Sequence, residues 1–445
     1  MNKRSVTLTT ATALAVADMI GIGVFTSLGF QVIGLPSGFA VMALWIVGGL
    51  VAMCGALSYA ELATAFPRSG GEYNYLSQIY NRAVGFLAGW VSSTVGFAAP
   101  VAVAAIAFGK YLTGVFPELP NGSVTLAAIA VVLVWSVTLI QLRGIHESAT
   151  FQNASTLLKI VLIVAFIVAG LVWGKPQPIS FAPSMSDIGY IASAPFAIGL
   201  VFVMYSYSGW NAMTYIAGEL HQPEKVLPRS ILLGVLIVTL LYVGLNFIFL
   251  YTTPMAAMAG KIDVGLIAGR HIFGDSGGRV VGALICLGLV SAVSAMMWIG
   301  PRVTMVIGED LPLLSMFARR ADDGTPRIAI VFQAAMATVL LLSQSFEAVI
   351  EFIQFSLTFC SFLAVLGVVI LRWTRPDLPR PYRVWAFPLT PLIFLGVTFF
   401  MMVYLVQQKP KESLAGIVMM LAGLVVYAVS SRHTPAGSTA GGSQE

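Results

Sequence analysis

The stretch ADMIGIGVF at 17–25, read with YSYSGWN at 205–211, decides the fold. Each interrupts an apolar run long enough to cross a bilayer. The first carries Gly21 and Gly23, with Gly29 just beyond; the second is a polar run of Ser, Gly and Asn around Trp210. Glycine and serine weaken a helix in mid-membrane. Lipid cannot satisfy the backbone groups so freed, so a broken helix persists there only where it lines a cavity or is buried in protein. The two stretches lie about 185 residues apart, at corresponding places in two five-helix halves. Matched breaks point to an inverted-repeat transporter with its binding site at the midplane. The competing reading is that the glycines only let helices pack closely.

The rest of the chain agrees with a lipid solvent. Of 445 residues, 58% are hydrophobic and 10% charged, and mean hydropathy is +0.89. A water-soluble domain cannot hide so much apolar surface. Apolar stretches fall at roughly 7–33, 39–65, 83–113, 124–142, 150–173, 191–218, 229–253, 278–308, 327–345, 349–372, 384–406 and 413–431. The predicted fold is therefore an all-α membrane protein of 12 transmembrane helices in one domain, 1–432. The first repeat covers about 7–173, the second about 191–372, and two extra C-terminal helices about 384–431. The Gly/Ser-rich tail, 433–445, is predicted to be disordered. No signal-peptide cleavage site follows the first apolar run.

Lys and Arg set the orientation. With the N-terminus in the cytoplasm, 15 basic residues fall in inner segments and 7 outside, which places both termini in the cytoplasm of a cell membrane. The net charge of +5 thus reads as topology, not as a nucleic-acid surface. Cys54, Cys286 and Cys360 sit in apolar segments and read as small core residues. The histidines 146, 221, 271 and 433 fall in expected loops without clustering, so no metal or other cofactor is implied. There is no P-loop, HExxH or GxSxG, and no nucleophile–base cluster; an enzyme is not expected.

Ionisable groups inside spans are costly and mark function by default. Asp18 lies in the first span and Lys159 in the fifth, roughly 16 and 14 Å deep at ~1.5 Å per residue. Lys159 is expected to place a fixed cation near the first break, balanced by Asp18; a structural ion pair and a proton carrier are the alternatives. Gln152, Ser155, Thr156 and Lys159 share one helix face that should point into the bundle. Ser291, Ser294, Trp298 and Arg302 similarly share a face of the eighth span. Half-helix ends suit a zwitterion: the N–H groups of Ile22 and Gly23 can hold a carboxylate, and carbonyls near Met19, Tyr205 and Ser208 can accept an ammonium. Glu61 and Glu72 flank the loop after the second span and are expected to pair with Arg68 or Arg82, or to form an inner gate; Glu219 and Arg229 are read the same way.

Four segments carry a family resemblance: GIGVF at 21–25, GALSYAELATAFPRSGGEYNYL at 55–76, YSYSGWNAMTYIAGELHQPEKVLPRSI at 205–231 and LRWTRPDLPRPYRV at 371–384. Over about 9–429 the chain resembles the amino acid–polyamine–organocation (APC) superfamily, in particular its L-type amino acid transporter branch. The resemblance implies a LeuT-type 5+5 inverted repeat with discontinuous helices 1 and 6. It implies carboxylate binding by Ile22 and Gly23 and amine binding by Met19, Tyr205, Ser206 and Ser208. Tyr205 stands at the family's aromatic gate, and Trp210 and Asn211 back the pocket, Trp210 being the second gate residue. Lys159 matches a lysine that replaces a sodium ion, with Ser291 and Ser294 beside it, which implies sodium-independent exchange or proton symport. Ile22 departs from the family's usual small polar residue, and Asp18 from a neutral one; a cationic amino acid or polyamine-like amine is therefore the alternative substrate. Without a cysteine between the third and fourth spans, no disulfide-linked heavy chain is expected. A channel or receptor would need no matched breaks. The oligomeric state is not legible.

Overall fold

The computed structural model describes residues 7–67, 70–143, 148–215, 220, 222–322, 324–343 and 345–432. In chain order the α-helices are α1 Leu8–Met19, α2 Gly23–Thr26, α3 Leu28–Gly34, α4 Gly38–Ala65, α5 Gly71–Ile79, α6 Arg82–Val91, α7 Ala98–Val115, α8 Ser123–Leu142, α9 Ser148–Trp173 and α10 Met185–Ile191. Then follow α11 Ala194–Tyr207, α12 Ala212–Tyr215, α13 Pro223–Thr252, α14 Met255–Met258, α15 Val264–Asp310, α16 Arg327–Ser343, α17 Phe346–Thr374, α18 Leu389–Gln408 and α19 Pro410–Arg432. Among the described residues there is no strand. Ten helical segments are long and apolar enough to cross a membrane, and α10 with α11, bent by 65°, makes an eleventh. α16 is apolar but shorter.

Hydroxyl and amide side chains start several of these helices. Ser37 accepts from Ala40 N at 3.2 Å, Asn81 from Val84 N at 3.0 Å and Ser345 from Ala348 N at 3.2 Å. Each cap satisfies one of the N–H groups a helix start leaves open. The layering follows from which spans avoid lipid: 72% of the apolar window in α4 is buried, against 28% in α8 and α19, so α4 is central and the other two are peripheral. α4 packs against α13, α11 and α18, and α7 against α15, α8 and α16.

The first and sixth spans are both interrupted, as read from the sequence. α1 stops at Met19 and helix resumes at Gly23; α11 stops at Tyr207 and resumes at Ala212. Three features differ from expectation. The eighth span is preceded by a helical stretch, the two joined at Gly274 (φ +76°), so His271 is helical and exposed rather than in a loop. The third span carries a π-helical turn over Ser92–Gly96. The expected inward face of the eighth span does not extend to its lower part: Trp298 and Arg302 are exposed and stack on each other, 3.5 Å from guanidinium to ring. A cation–π contact lets that arginine lie along an apolar face. His146, His221, His433, Arg68, Glu219 and 433–445 lie outside the described residues, as do the side chains of Gln152 and Ser155.

Among the described residues, Glu61 pairs across the molecule. Its carboxylate accepts from Arg372 Nε at 2.9 Å and Nη2 at 2.7 Å, and from Val384 N at 2.7 Å; Arg380 Nε lies 3.3 Å away. Of the two local candidates, Arg82 is not its partner among the described residues, and Arg68 lies outside them. The link ties α4 to the end of α17 and the following loop. Removing one member strands a buried charge, so Glu61→Gln should lower stability by about 3 kcal/mol, read as a reduced melting temperature of the purified protein in detergent.

Candidate functional site

Breaking a helix leaves N–H groups and carbonyls without their usual partners, and here other spans supply many of them. Met19 O accepts Gly21 N at 2.8 Å and Tyr242 Oη at 2.6 Å. Ile20 O accepts Lys159 Nζ at 2.8 Å, in a fully protein-enclosed setting where Lys159 is only 4% exposed. The lysine stem runs along α15 at Gly288. On the other side, Ile22 N and Gly23 N have no hydrogen-bond partner among the described residues. They stand where helix resumes at α2, and free N–H groups at a helix start are the kind that can hold an anion.

The two breaks touch. A Cβ on Gly23 would lie 2.4 Å from Ser206 Oγ and 2.7 Å from its Cα, so only glycine permits this approach. Ser206 Oγ donates to Phe202 O at 2.8 Å and lies 2.9 Å from Ser27 Oγ, which also reaches Phe202 O. Its hydroxyl therefore clamps α11 to the part of the first span that follows its break. Phe30 stacks on Phe202 at 5.2 Å, extending the same seam. Gly209, at φ +101°, approaches Asp18 so closely that a Cβ would meet Asp18 Oδ2 at 2.7 Å. Asp18 Oδ1 is buried with no hydrogen-bond partner among the described residues.

Asp18 and Lys159 thus flank the same break. Their charges attract, but no direct ion pair joins them among the described residues. Lys159 bonds backbone instead. Of the two serines read as its companions, Ser294 accepts from Gln141 Nε2 at 3.2 Å and faces α8, while Ser291 is buried. Tyr205 O accepts both Ser208 N (3.1 Å) and Ser208 Oγ (2.7 Å). Tyr205 itself is buried at the end of α11. Trp210 packs edge-on to Tyr59, centroids 4.7 Å apart. Ser208, Gly209, Trp210 and Asn211 line a chamber of about 70 Å³ with Glu72, Gln354 and Ser361. A larger recess of about 600 Å³ opens between the loops at 36–38, 177–187 and 253–256, and holds none of the predicted residues.

Sequence reading missed Tyr242, Gly209, Ser27, Gln354 and the partners of Glu61. Gly209 stood inside the polar run and could have been singled out. Tyr242 is one aromatic among many on an apolar span; nothing local marks it.

The sequence profile of the amino acid permease family matches residues 6–431. The chain belongs to that family. It is a multi-pass membrane transporter, not an enzyme. It is 29% identical to the serine/threonine exchanger SteT of Bacillus subtilis, over 96% of each chain. It is 28% identical to the large neutral amino acids transporter small subunit 2 of Mus musculus, over 97% of this chain and 82% of that one. With the human cystine/glutamate transporter the identity is 29%, over 96% and 85%.

The seam between the breaks is directly testable. Gly23→Ala forces Ser206 backbone away and should cost about 1–3 kcal/mol of stability. Gly21→Ala, where a Cβ meets nothing within 4 Å, should leave the melting temperature unchanged.

Proposed function

We propose that the protein is a secondary active, sodium-independent amino acid transporter, working as an exchanger or a proton-coupled symporter. The observation that carries this is the meeting of two broken helices in the membrane, with unpartnered N–H groups at Ile22 and Gly23 and hydroxyl and amide groups at Ser208 and Asn211. The substrate carboxylate binds the N–H pair. Its ammonium binds on the helix-6 side, among Met19, Tyr205, Ser206, Ser208 and Asn211. Because Met19 and Tyr205 carbonyls already accept internal donors and Ser206 clamps the seam, Ser208 Oγ and the Asn211 amide carry most of that contact in this conformation. Tyr205 closes the site from one side and Trp210 backs it from the other.

The architecture proposed is 12 spans, α16 being the ninth, in a LeuT-type 5+5 inverted repeat with two added helices. Both termini lie in the cytoplasm of the cell membrane. The kinship with a serine/threonine exchanger and a large neutral amino acids transporter subunit supports an amino acid as substrate. Lys159 supports sodium independence: its ammonium donates to an unwound carbonyl, which is what a bound cation would otherwise do there. Ser291 lies on the same side of the eighth span as Gly288 and completes the coupling region. The second reading, a cationic amino acid or amine, rests on Asp18, whose Oδ1 lacks a partner beside the break.

Uptake into liposomes carrying the purified protein decides between these. A panel of labelled amino acids should show counterflow exchange, unchanged when sodium is replaced by choline. Lys159→Ala removes a charge-assisted hydrogen bond and should slow exchange by on the order of tenfold or more. Absence of counterflow for every amino acid would falsify transport; strict sodium dependence would remove the role given to Lys159. Asp18→Asn should lower uptake of lysine or arginine selectively if the second reading holds.

A further inference from the structure

Among the described residues, Glu72 is a buried carboxylate with no cation beside it. It lies on α5, a short helix outside the membrane-spanning segments, and is 3% exposed. The other buried glutamates are neutralised: Glu61 by Arg372 and Arg380, Glu351 by Lys409 at 2.7 Å. The titratable groups that face Glu72 are Tyr59 of α4, Tyr75 of its own helix and Cys360 of α17; no charged group among the described residues does. A bare carboxylate in such a place is costly, and neutralisation by a proton is the usual resolution.

The geometry leaves a place for that proton. Both hydroxyl donors, Tyr59 Oη and Ser361 Oγ (3.0 Å), go to Oε1. Oε2 has no partner among the described residues. Glu72 forms one wall of the chamber beneath the helix-6 break, together with Ser208, Gly209, Trp210 and Asn211. On the same chamber Gln354, 5% exposed, presents Oε1 with no donor, its amide nitrogen being bound to Thr358 Oγ1 at 3.1 Å. Two acceptors on the chamber wall, Glu72 Oε2 and Gln354 Oε1, are therefore without a donor of their own among the described residues. One proton on Glu72 Oε2 adds a donor there and removes the buried charge together.

We propose that Glu72 is the proton-binding site of the transport cycle, taking a proton on Oε2 when the chamber is closed and releasing it to water when the helix-6 break moves and opens it. This rests on the transporter reading above. Burial pushes the Glu72 carboxyl up from its ordinary range, while the Tyr59 and Ser361 hydrogen bonds pull it back. Ser361 favours the charged form, so removing its hydroxyl raises the pH at which the proton leaves.

Two measurements on the full chain test this. In infrared pH titration of the purified protein, the carbonyl band of a neutral acid should persist well above the ordinary glutamate pKa of about 4.3, and should vanish in Glu72→Gln. In liposomes, wild-type uptake should rise with an inward proton gradient; Glu72→Gln should lose that response, and Ser361→Ala should move the pH midpoint upward. A variant with the same infrared band as wild type, or one that keeps the full gradient response, overturns the proposal. Wild-type exchange indifferent to the gradient also overturns it, yet leaves amino acid transport standing. Absence of exchange for all amino acids would instead strike the transporter reading, with the infrared titration still deciding whether Glu72 holds the proton.

Discussion

Peptide groups cannot be left bare in hydrocarbon, and the centre of this protein is arranged around that constraint. Interrupting two spans frees several carbonyls and N–H groups. Tyr242 from α13 and Lys159 from α9 reach in to cover carbonyls of the first break. Ser27 and Ser206 bind each other and the Phe202 carbonyl at the seam. What remains open after these bonds are made is mostly donor on one side and hydroxyl or amide on the other. That polarity matches the two ends of an amino acid backbone. In the proposed binding mode, binding energy comes from groups that the fold has already freed, so little reorganisation is needed on the protein side.

Small residues make the arrangement possible. Gly23 and Gly209 are positions where a single added carbon would collide with the opposing segment, one with Ser206 and the other with Asp18. They bring the two breaks into contact and place the Asp18 carboxylate at the helix-6 break. Lys159 and Asp18 then bracket the first break with opposite charges without forming a direct pair. The lysine hydrogen bond to backbone fixes its position, and Asp18 Oδ1 is left without a hydrogen-bond partner among the described residues.

The glutamates at the end of the second span and after it divide into two kinds. Glu61 is held by two arginines and a backbone N–H, and joins segments more than three hundred residues apart in the chain. It is a tie between α4 and the last part of α17. Among the described residues Glu72 has hydroxyl partners only, and it faces a chamber with the helix-6 break in its wall. The same residue type, eleven positions along, is a rivet in one case and a group able to change charge in the other. Environment, not identity, makes the difference.

The sequence alone determined the membrane class, nearly every span, and the positions of both breaks, because these depend on local composition and on the cost of glycine and polar residues in lipid. It also identified Asp18 and Lys159, since any charge within an apolar run stands out. Their relation required the tertiary structure: depth along a helix says nothing about rotation around it, so Lys159 could be placed near the break but not assigned to the Ile20 carbonyl. Rotation likewise decided that Ser294 faces α8 and that Trp298 and Arg302 face outward, although spacing put them on a common stripe with Ser291. Glu61 was matched by sequence proximity to nearby arginines, whereas folding brought Arg372 and Arg380 to it from the far end of the chain. Tyr242 and Gln354 carried no local mark at all; each acquires meaning only because the fold sets it beside a backbone carbonyl or a buried carboxylate that must be satisfied.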